Sequence, residues 1–204
     1  MGIDNWLKVA IIGCFFINAI YTKGGLVRGK SDQIILIAAM GFTLIADTFM
    51  LMLDMNAAGV LAFCVVQALH NYRYTGKKRL LIQITLGCVT FLAVLLSGTQ
   101  LLFALGAGYA VFLFFSVTGA FMAYRKYPAP NNLMIVAGML LFLGCDIFVA
   151  IHYTQTGLSP EMSEFVSRAI WFCYFPSQAL LSSSARKALN YKEEDERRKN
   201  GEKW

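Results

Sequence analysis

Charged residues are scarce in this chain. Of its 204 residues only 15% are charged, whereas 57% are hydrophobic, and the mean hydropathy is +0.57. A soluble domain has about a quarter charged residues, because its surface must be solvated. The shortage of charge therefore excludes an ordinary soluble enzyme or binding module, and it predicts an integral membrane protein with several spans.

Residues that usually hold metals or form bridges are also few. The chain has two histidines and five cysteines, and no two cysteines have the CxxC spacing that is typical of zinc sites and redox motifs. The cysteines lie inside apolar stretches, where a thiol behaves as a small packing side chain. We therefore predict no disulfide, no metal centre and no cofactor.

The apolar stretches are long enough to cross about 30 Å of hydrocarbon. Backbone in lipid must satisfy its own hydrogen bonds, which favours helices joined by short loops. The sequence thus predicts an all-α, polytopic membrane protein with about seven transmembrane helices, which form a single domain over residues 1–185. A charged cytoplasmic tail is predicted over residues 186–204. The helices are predicted near 6–21, 33–53, 57–72, 80–96, 100–124, 133–153 and 165–181.

Basic residues mark one side of these predicted helices. All but two of the 18 lysines and arginines, Lys8 and Arg168, fall in the first, third and fifth connections or in the tail. Because cytoplasmic loops are enriched in lysine and arginine, this asymmetry predicts an outer N-terminus and a cytoplasmic C-terminus. The net charge of +6 then reflects topology in a lipid bilayer, and no nucleic-acid partner is predicted. We expect a multi-pass protein of the plasma membrane in a prokaryote or of the endoplasmic reticulum in a eukaryote; the oligomeric state is left open.

Two aspartates interrupt otherwise apolar helices. Asp47 stands in GFTLIADTFMLMLD and Asp146 stands in LFLGCDIFVAIHY. An aspartate at the bilayer centre costs about 2.5 to 3.5 kcal/mol on the insertion scale. Both helices are predicted to run outwards, and a rise of about 1.5 Å per residue puts both carboxyls about 20 Å from the cytoplasmic end. We expect the two to face each other, either as a functional acid pair or as a pair that only holds helices together.

The two aspartate segments also resemble each other. Each has a small residue before the acid and an Asp-x-Phe pattern after it, as in Asp47-Thr48-Phe49. This similarity indicates a weak parallel internal repeat.

The helix after each aspartate brings further polar residues. VVQALHNYRYTG (65–76) follows Asp47, and SRAIWFCYFPSQALL (167–181) follows Asp146. These polar residues either line a site with the acids or have ordinary membrane roles, since histidine and tyrosine are common at headgroup level and glutamine bonds between helices. Arg168 either snorkels to the interface or forms an ion pair with an aspartate or a lipid phosphate.

Four of these patterns resemble a known family. GFTLIAD, QALHNYRY, LFLGCD and YFPSQALL, spread over residues 35–182, are similar to motifs of the YhhN-like family of lysoplasmalogenases. Family members have Gly-Asp and Ser-Asp where this chain has Ala46-Asp47 and Cys145-Asp146, and they commonly have eight helices.

The resemblance implies hydrolysis of the vinyl ether bond of a lysophospholipid substrate, a lysoplasmalogen. The products would be a fatty aldehyde and glycerophosphoethanolamine or glycerophosphocholine. Such cleavage begins with protonation of carbon and ends with addition of water, for which a carboxylic acid and a carboxylate suffice. Asp47 and Asp146 are the predicted catalytic pair. The other predicted site residues line the pocket or bind the headgroup, and they are His70, Asn71, Tyr74, Arg168, Tyr174 and Gln178.

A proton-coupled transporter or channel is the alternative, because a membrane-embedded acid pair also serves as a proton relay. A closed pocket that fits a lipid chain beside the acids favours the hydrolase. A polar path that is open to both faces favours the transporter.

Overall fold

The computed structural model describes residues 3–21, 30–154 and 159–185. Within these ranges the chain forms seven helices and no strand, which confirms the predicted all-α architecture. The predicted tail and parts of the first and sixth connections lie outside the described residues. The helices are α1 (Ile3–Ile20), α2 (Lys30–Leu51), α3 (Asn56–Thr75), α4 (Lys77–Leu96), α5 (Leu101–Lys126), α6 (Pro130–Thr154) and α7 (Pro160–Ser183).

Six of the described helices form a closed ring. Going round it, α1 packs on α2, α2 on α3, α3 on α5, α5 on α6, α6 on α7, and α7 again on α1. Helix α4 lies outside the ring against α3 and α5. Helices α1 and α7 are parallel neighbours, because Lys8 in the first half of α1 meets Trp171 in the middle of α7, and Asn18 near the end of α1 meets Ser182 near the end of α7.

Four of the described helices, α2, α4, α5 and α6, are long and apolar enough to cross a membrane. Helix α4 leaves most of its apolar side chains exposed, for example Leu81, Val89 and Leu92, as expected for a surface in contact with lipid. Helices α3 and α7 are less apolar because they carry buried polar side chains such as Gln67 and Gln178. These features support a membrane protein, while the crossing of all seven helices and their orientation stay predictions.

Helices α6 and α7 approach each other closely at Gly138. A Cβ atom there would lie 2.9 Å from the Cγ atom of Leu181 and 3.3 Å from the carbonyl oxygen of Ser177. The Ser177 hydroxyl donates a hydrogen bond of 2.8 Å to the Gly138 carbonyl oxygen. Because Gly138 has no side chain, α7 can pack closely against α6 at this point.

A buried ion pair closes one end of the ring. Arg73 donates from Nε and Nη2 to the two carboxylate oxygens of Asp32, at 2.8 Å each, and both residues are buried. Its Nη1 atom donates to the Ser184 hydroxyl at 2.8 Å, and Asn131 donates to the Ser184 carbonyl oxygen at 2.9 Å. Helix α3 continues past its predicted end, so Arg73 belongs to this helix and not to a loop. The pair joins α2 and α3 to the far end of α7.

Candidate active site

Asp47 is buried near the end of α2, four residues before Leu51. The Tyr174 hydroxyl on α7 donates a hydrogen bond of 2.7 Å to its Oδ2 atom. Both helices flank α1 in the ring, so this bond links the two neighbours of α1. It fixes the carboxyl group and leaves its Oδ1 atom without a hydrogen-bonding partner among the described residues.

Asp146 on α6 has a matching arrangement. The Tyr109 hydroxyl on α5 donates a hydrogen bond of 2.6 Å to its Oδ2 atom. Gln67 on α3 donates in turn to the Tyr109 oxygen, at 3.4 Å. Asp146 is only partly buried, whereas Asp47 is 5% exposed. Each predicted catalytic carboxyl is thus held by a tyrosine from another helix.

Aromatic rings connect the two tyrosines across the interior. The Tyr174 ring packs edge-on against Phe142 at 5.7 Å between ring centroids, and Phe142 packs against Phe63 at 6.0 Å. Phe63 then contacts Tyr109 at 6.3 Å. A continuous aromatic wall, Tyr109, Phe63, Phe142 and Tyr174, therefore runs from one aspartate to the other.

The two carboxyl groups are held at the two ends of this aromatic wall, each by the hydroxyl of its own tyrosine. No hydrogen bond joins the two carboxyls among the described residues. Two carboxyls in a desolvated interior hold one negative charge between them more readily than two. Such a pair can supply a proton donor and a proton acceptor within one interior.

Gln178 carries the clearest unmet hydrogen-bonding capacity in this part of the chain. It lies one helical turn after Tyr174 and is 1% exposed, and neither its Nε2 nor its Oε1 atom has a protein partner. The Oε1 atom of Gln67 is also buried without a partner. Buried amide groups are ordinarily hydrogen-bonded, and these two glutamines depart from that rule.

His70 and Tyr74 form a separate pair deeper in α3. The Nδ1 atom of His70 and the Tyr74 hydroxyl are hydrogen-bonded at 3.0 Å, and the two rings are stacked. Asp47 lies close to the end of α2 that leads into α3, while His70 follows the start of α3 by 14 residues. At about 1.5 Å per residue, His70 is about 15 Å further along the helix axis. A direct role for this pair in the site stays a prediction.

Asn71 faces the outer side of the ring. Its amide donates a hydrogen bond of 2.9 Å to Gln83 on α4, and Gln83 donates to the carbonyl oxygen of Phe112 on α5 at 3.0 Å. Asn71 therefore joins α3 to α4 and, through Gln83, to α5. The predicted contact of Asn71 with substrate stays a prediction.

Arg168 lies at the surface on α7. Its side chain is 78% exposed and forms an ion pair of 2.5 Å with Glu164 on the same helix. It is one of the residues that line a groove between α1 and α7. The predicted contact of Arg168 with phosphate is therefore compatible with an approach from outside the ring.

Tyr109 is a residue of this site that no sequence motif predicted. It stands in the stretch GAGYAVF, inside a long apolar helix. A buried tyrosine hydroxyl generally finds a hydrogen-bonding partner, so a tyrosine at this depth was a usable signal. Only the packing of α5 against α6 identifies the partner as Asp146.

The described residues contain no cluster of three or more histidine, cysteine or acidic side chains that could hold a metal ion. The interior contains two carboxyls that can exchange protons, and hydroxyls and amides that can form hydrogen bonds. The aromatic wall makes this interior apolar, and its members Phe142 and Tyr174 are buried.

Comparison with models of protein families identifies a relationship. The model of the YhhN family matches residues 5–185, which include both aspartates and both of their tyrosine partners. No curated protein matches the chain. No solved structure matches it either. The match covers most of the sequence, and the chain belongs to the YhhN family.

Proposed function

We propose that the chain is a membrane-embedded hydrolase that cleaves the vinyl ether bond of lysoplasmalogens, with Asp47 and Asp146 as its acid and base. The observation that carries the proposal is the pair of interior carboxyls, each held by a tyrosine hydroxyl at 2.6 to 2.7 Å. Membership of the YhhN family is consistent with it.

The first step is transfer of a proton to carbon. One aspartate, in its carboxylic acid form, gives its proton to the alkene carbon that is remote from the ether oxygen. The π electrons form the new C–H bond, and the positive charge is shared between the other alkene carbon and the oxygen. The remaining carboxylate and the faces of the aromatic wall stabilise this oxocarbenium ion.

The second step is addition of water. Its oxygen attacks the charged carbon while the other aspartate, as carboxylate, accepts its proton, and a hemiacetal forms. On collapse the carbon–oxygen bond to glycerol breaks and the glycerol oxygen takes that proton. The hemiacetal hydroxyl returns a proton to the first aspartate as the aldehyde forms, so both carboxyls regain their starting states and one water is consumed.

Neighbouring side chains orient these groups. Tyr109 and Tyr174 each donate to an Oδ2 atom, which leaves the Oδ1 atoms for the proton transfers. The unpartnered amide of Gln178 suits a polar group on the glycerol part of the substrate, because both a donor and an acceptor are free there.

A proton-coupled transporter or channel is the second candidate. In its favour, buried polar side chains continue along α3 from Gln67 to His70 and Tyr74. Such a protein would move protons through the same acids without consuming a lipid.

The deciding experiment uses purified protein in ¹⁸O-labelled water. It compares a lysoplasmalogen with the analogue in which the vinyl ether is replaced by a saturated ether. We expect aldehyde from the vinyl ether alone, and an unlabelled glycerol hydroxyl, because water attacks the alkenyl carbon. Absence of aldehyde, or label in the glycerol hydroxyl, contradicts the proposed reaction.

A further inference from the structure

A groove opens at the protein surface between α1 and α7. Its volume is about 410 Å³. Helix α1 contributes Leu7, Lys8 and Ile11 to its walls, and α7 contributes Arg168, Trp171 and Phe175. The groove runs along the first half of α1 and the middle of α7.

Two basic residues line this groove, and both are exceptions to the clustering of basic residues on the predicted cytoplasmic side. Lys8 and Arg168 are the only basic residues of the chain that fall outside the connections and the tail assigned to the cytoplasmic side. They come from opposite ends of the sequence, yet α1 and α7 bring both to one groove. The Lys8 Nζ atom lies 4.5 Å above the Trp171 ring.

The floor between these cations is apolar. Leu7, Ile11, Trp171 and Phe175 line it, and Leu7 is 60% exposed. A soluble anion would gain nothing from the apolar floor, and a plain hydrocarbon would gain nothing from the two cations. A phosphate attached to a hydrocarbon chain satisfies both.

The rim also has negative charge. Asp4 lines the groove, and Glu164 accompanies Arg168. Carboxylates beside a pair of cations match a zwitterionic headgroup, in which an ammonium group follows the phosphate.

The groove lies one aromatic layer from the candidate active site. The Trp171 ring packs edge-on against Tyr174 at 5.8 Å between centroids, and Tyr174 donates the hydrogen bond to Asp47. A headgroup in the groove would thus sit on the other face of the layer that positions the carboxyl.

We propose that this groove binds the phosphate of a lysophospholipid headgroup between Lys8 and Arg168, and that it admits the substrate sideways from the bilayer. The identity of the lipid rests on the proposed function, while binding of the headgroup does not. Lys8 and Arg168 set affinity in this arrangement and take no part in the proton transfers.

The test measures binding of two uncleavable amphiphiles to the purified full-length chain. One is 1-O-hexadecyl-lysophosphocholine and the other is 1-O-hexadecylglycerol, which has the same chain and no phosphate. Lys8→Met and Arg168→Met should each raise the Kd of the phosphate-bearing amphiphile about tenfold and leave that of the glycerol unchanged. Lys8→Arg should retain most of the affinity.

Lys126→Met is the matched control, because Lys126 also lies over an aromatic ring, that of Tyr127, at 5.3 Å. It is exposed at the end of α5, away from the groove, and it should bind both amphiphiles as the parent does. Unchanged binding in the double variant Lys8→Met/Arg168→Met, or an equal loss for both amphiphiles, overturns the proposal. In the hydrolysis assay, Lys8→Met and Arg168→Met should each raise KM and leave kcat unchanged.

The two proposals can fail separately. Asp47→Asn should bind 1-O-hexadecyl-lysophosphocholine as the parent does. If the protein binds this amphiphile through Lys8 and Arg168 and yet releases no aldehyde from a vinyl ether, the binding proposal holds and the proposed reaction is contradicted.

Discussion

Tyr174 on α7 donates a hydrogen bond of 2.7 Å to Asp47 on α2, although 127 positions separate the two residues in the chain. The Tyr109 hydroxyl does the same for Asp146, at 2.6 Å. Each carboxyl therefore depends on a neighbouring helix for its orientation. The sequence supplies the acids, and the closure of the helix ring supplies the hydroxyls that hold them.

Removing either hydroxyl should slow catalysis more than it weakens binding. We expect Tyr174→Phe and Tyr109→Phe to lower kcat about tenfold to a hundredfold, because a hydrogen bond to a charged group contributes about 1.5 to 3 kcal/mol. The aromatic wall keeps its rings in both variants. Tyr72→Phe is the control, since Tyr72 is 41% exposed, and it should match the parent in steady-state assays of aldehyde release.

Gln178→Leu should raise stability and lower activity at the same time. The parent amide is buried with both polar atoms unpartnered, which costs about 1 to 3 kcal/mol, and leucine has a similar volume. If Gln178 binds the glycerol part of the substrate, KM rises. Gln83→Leu is the matched control, because both amide atoms of Gln83 have partners.

Thermal unfolding in detergent and steady-state kinetics measure both effects. Gln83→Leu should lower the melting temperature, because Asn71 then loses its acceptor. A Gln178→Leu protein that is less stable than the parent would show that the amide has a structural partner and no unmet capacity.

Breaking the buried pair of Arg73 and Asp32 should lower the free energy of unfolding far more than breaking the exposed pair of Arg168 and Glu164. Arg73→Met leaves the Asp32 carboxylate buried without its cation, and we expect a loss of about 3 to 5 kcal/mol in unfolding free energy. Arg168→Met removes a pair whose side chains are 78% and 64% exposed, so the loss should stay below about 1 kcal/mol.

The double variant Arg73→Met/Asp32→Ala completes the comparison. It should recover part of the loss, because no buried charge is then left alone. Equal losses for Arg73→Met and Arg168→Met, measured by denaturant unfolding, would mean that the end of the ring does not depend on this pair.

Two glycine-to-alanine substitutions should differ in their effect on stability. At Gly138 an added Cβ atom meets Leu181 and the Ser177 carbonyl oxygen, so Gly138→Ala should cost about 1 to 3 kcal/mol. At Gly106 no atom of a neighbouring element lies within 4 Å of an added Cβ, so Gly106→Ala should be neutral or add about 0.5 to 1 kcal/mol. Melting temperatures of the two variants give the comparison directly.

The helices and the two acids were predictable from local sequence. Lipid demands long apolar runs, so each predicted segment corresponds to one of the described helices. An isolated aspartate in such a run, as at Asp47, has a cost that makes it conspicuous. Family membership was predictable on the same grounds, because its motifs surround these residues.

The partners of the acids were not predictable in this way. Tyr109 reaches Asp146 because α5 adjoins α6, and Tyr174 reaches Asp47 because α2 and α7 both flank α1. No local sequence pattern encodes this order of helices. The pattern of basic residues predicted Arg73 in a loop, yet it is buried and forms an ion pair with Asp32 on α2. Long-range pairing of charges depends on the ring closure, which hydropathy does not encode.

The central claim is that Asp47 and Asp146 are the acid and base of vinyl ether hydrolysis, and the most direct measurement replaces each by its amide. Aldehyde release from a lysoplasmalogen is followed for Asp47→Asn and Asp146→Asn, with Asp54→Asn as control, since Asp54 lies exposed in the α2–α3 turn with φ of 53°. We predict that kcat falls about a hundredfold to ten-thousandfold in the first two variants and is unchanged in the control. A folded Asp47→Asn or Asp146→Asn protein that releases aldehyde at the parent rate would contradict the account.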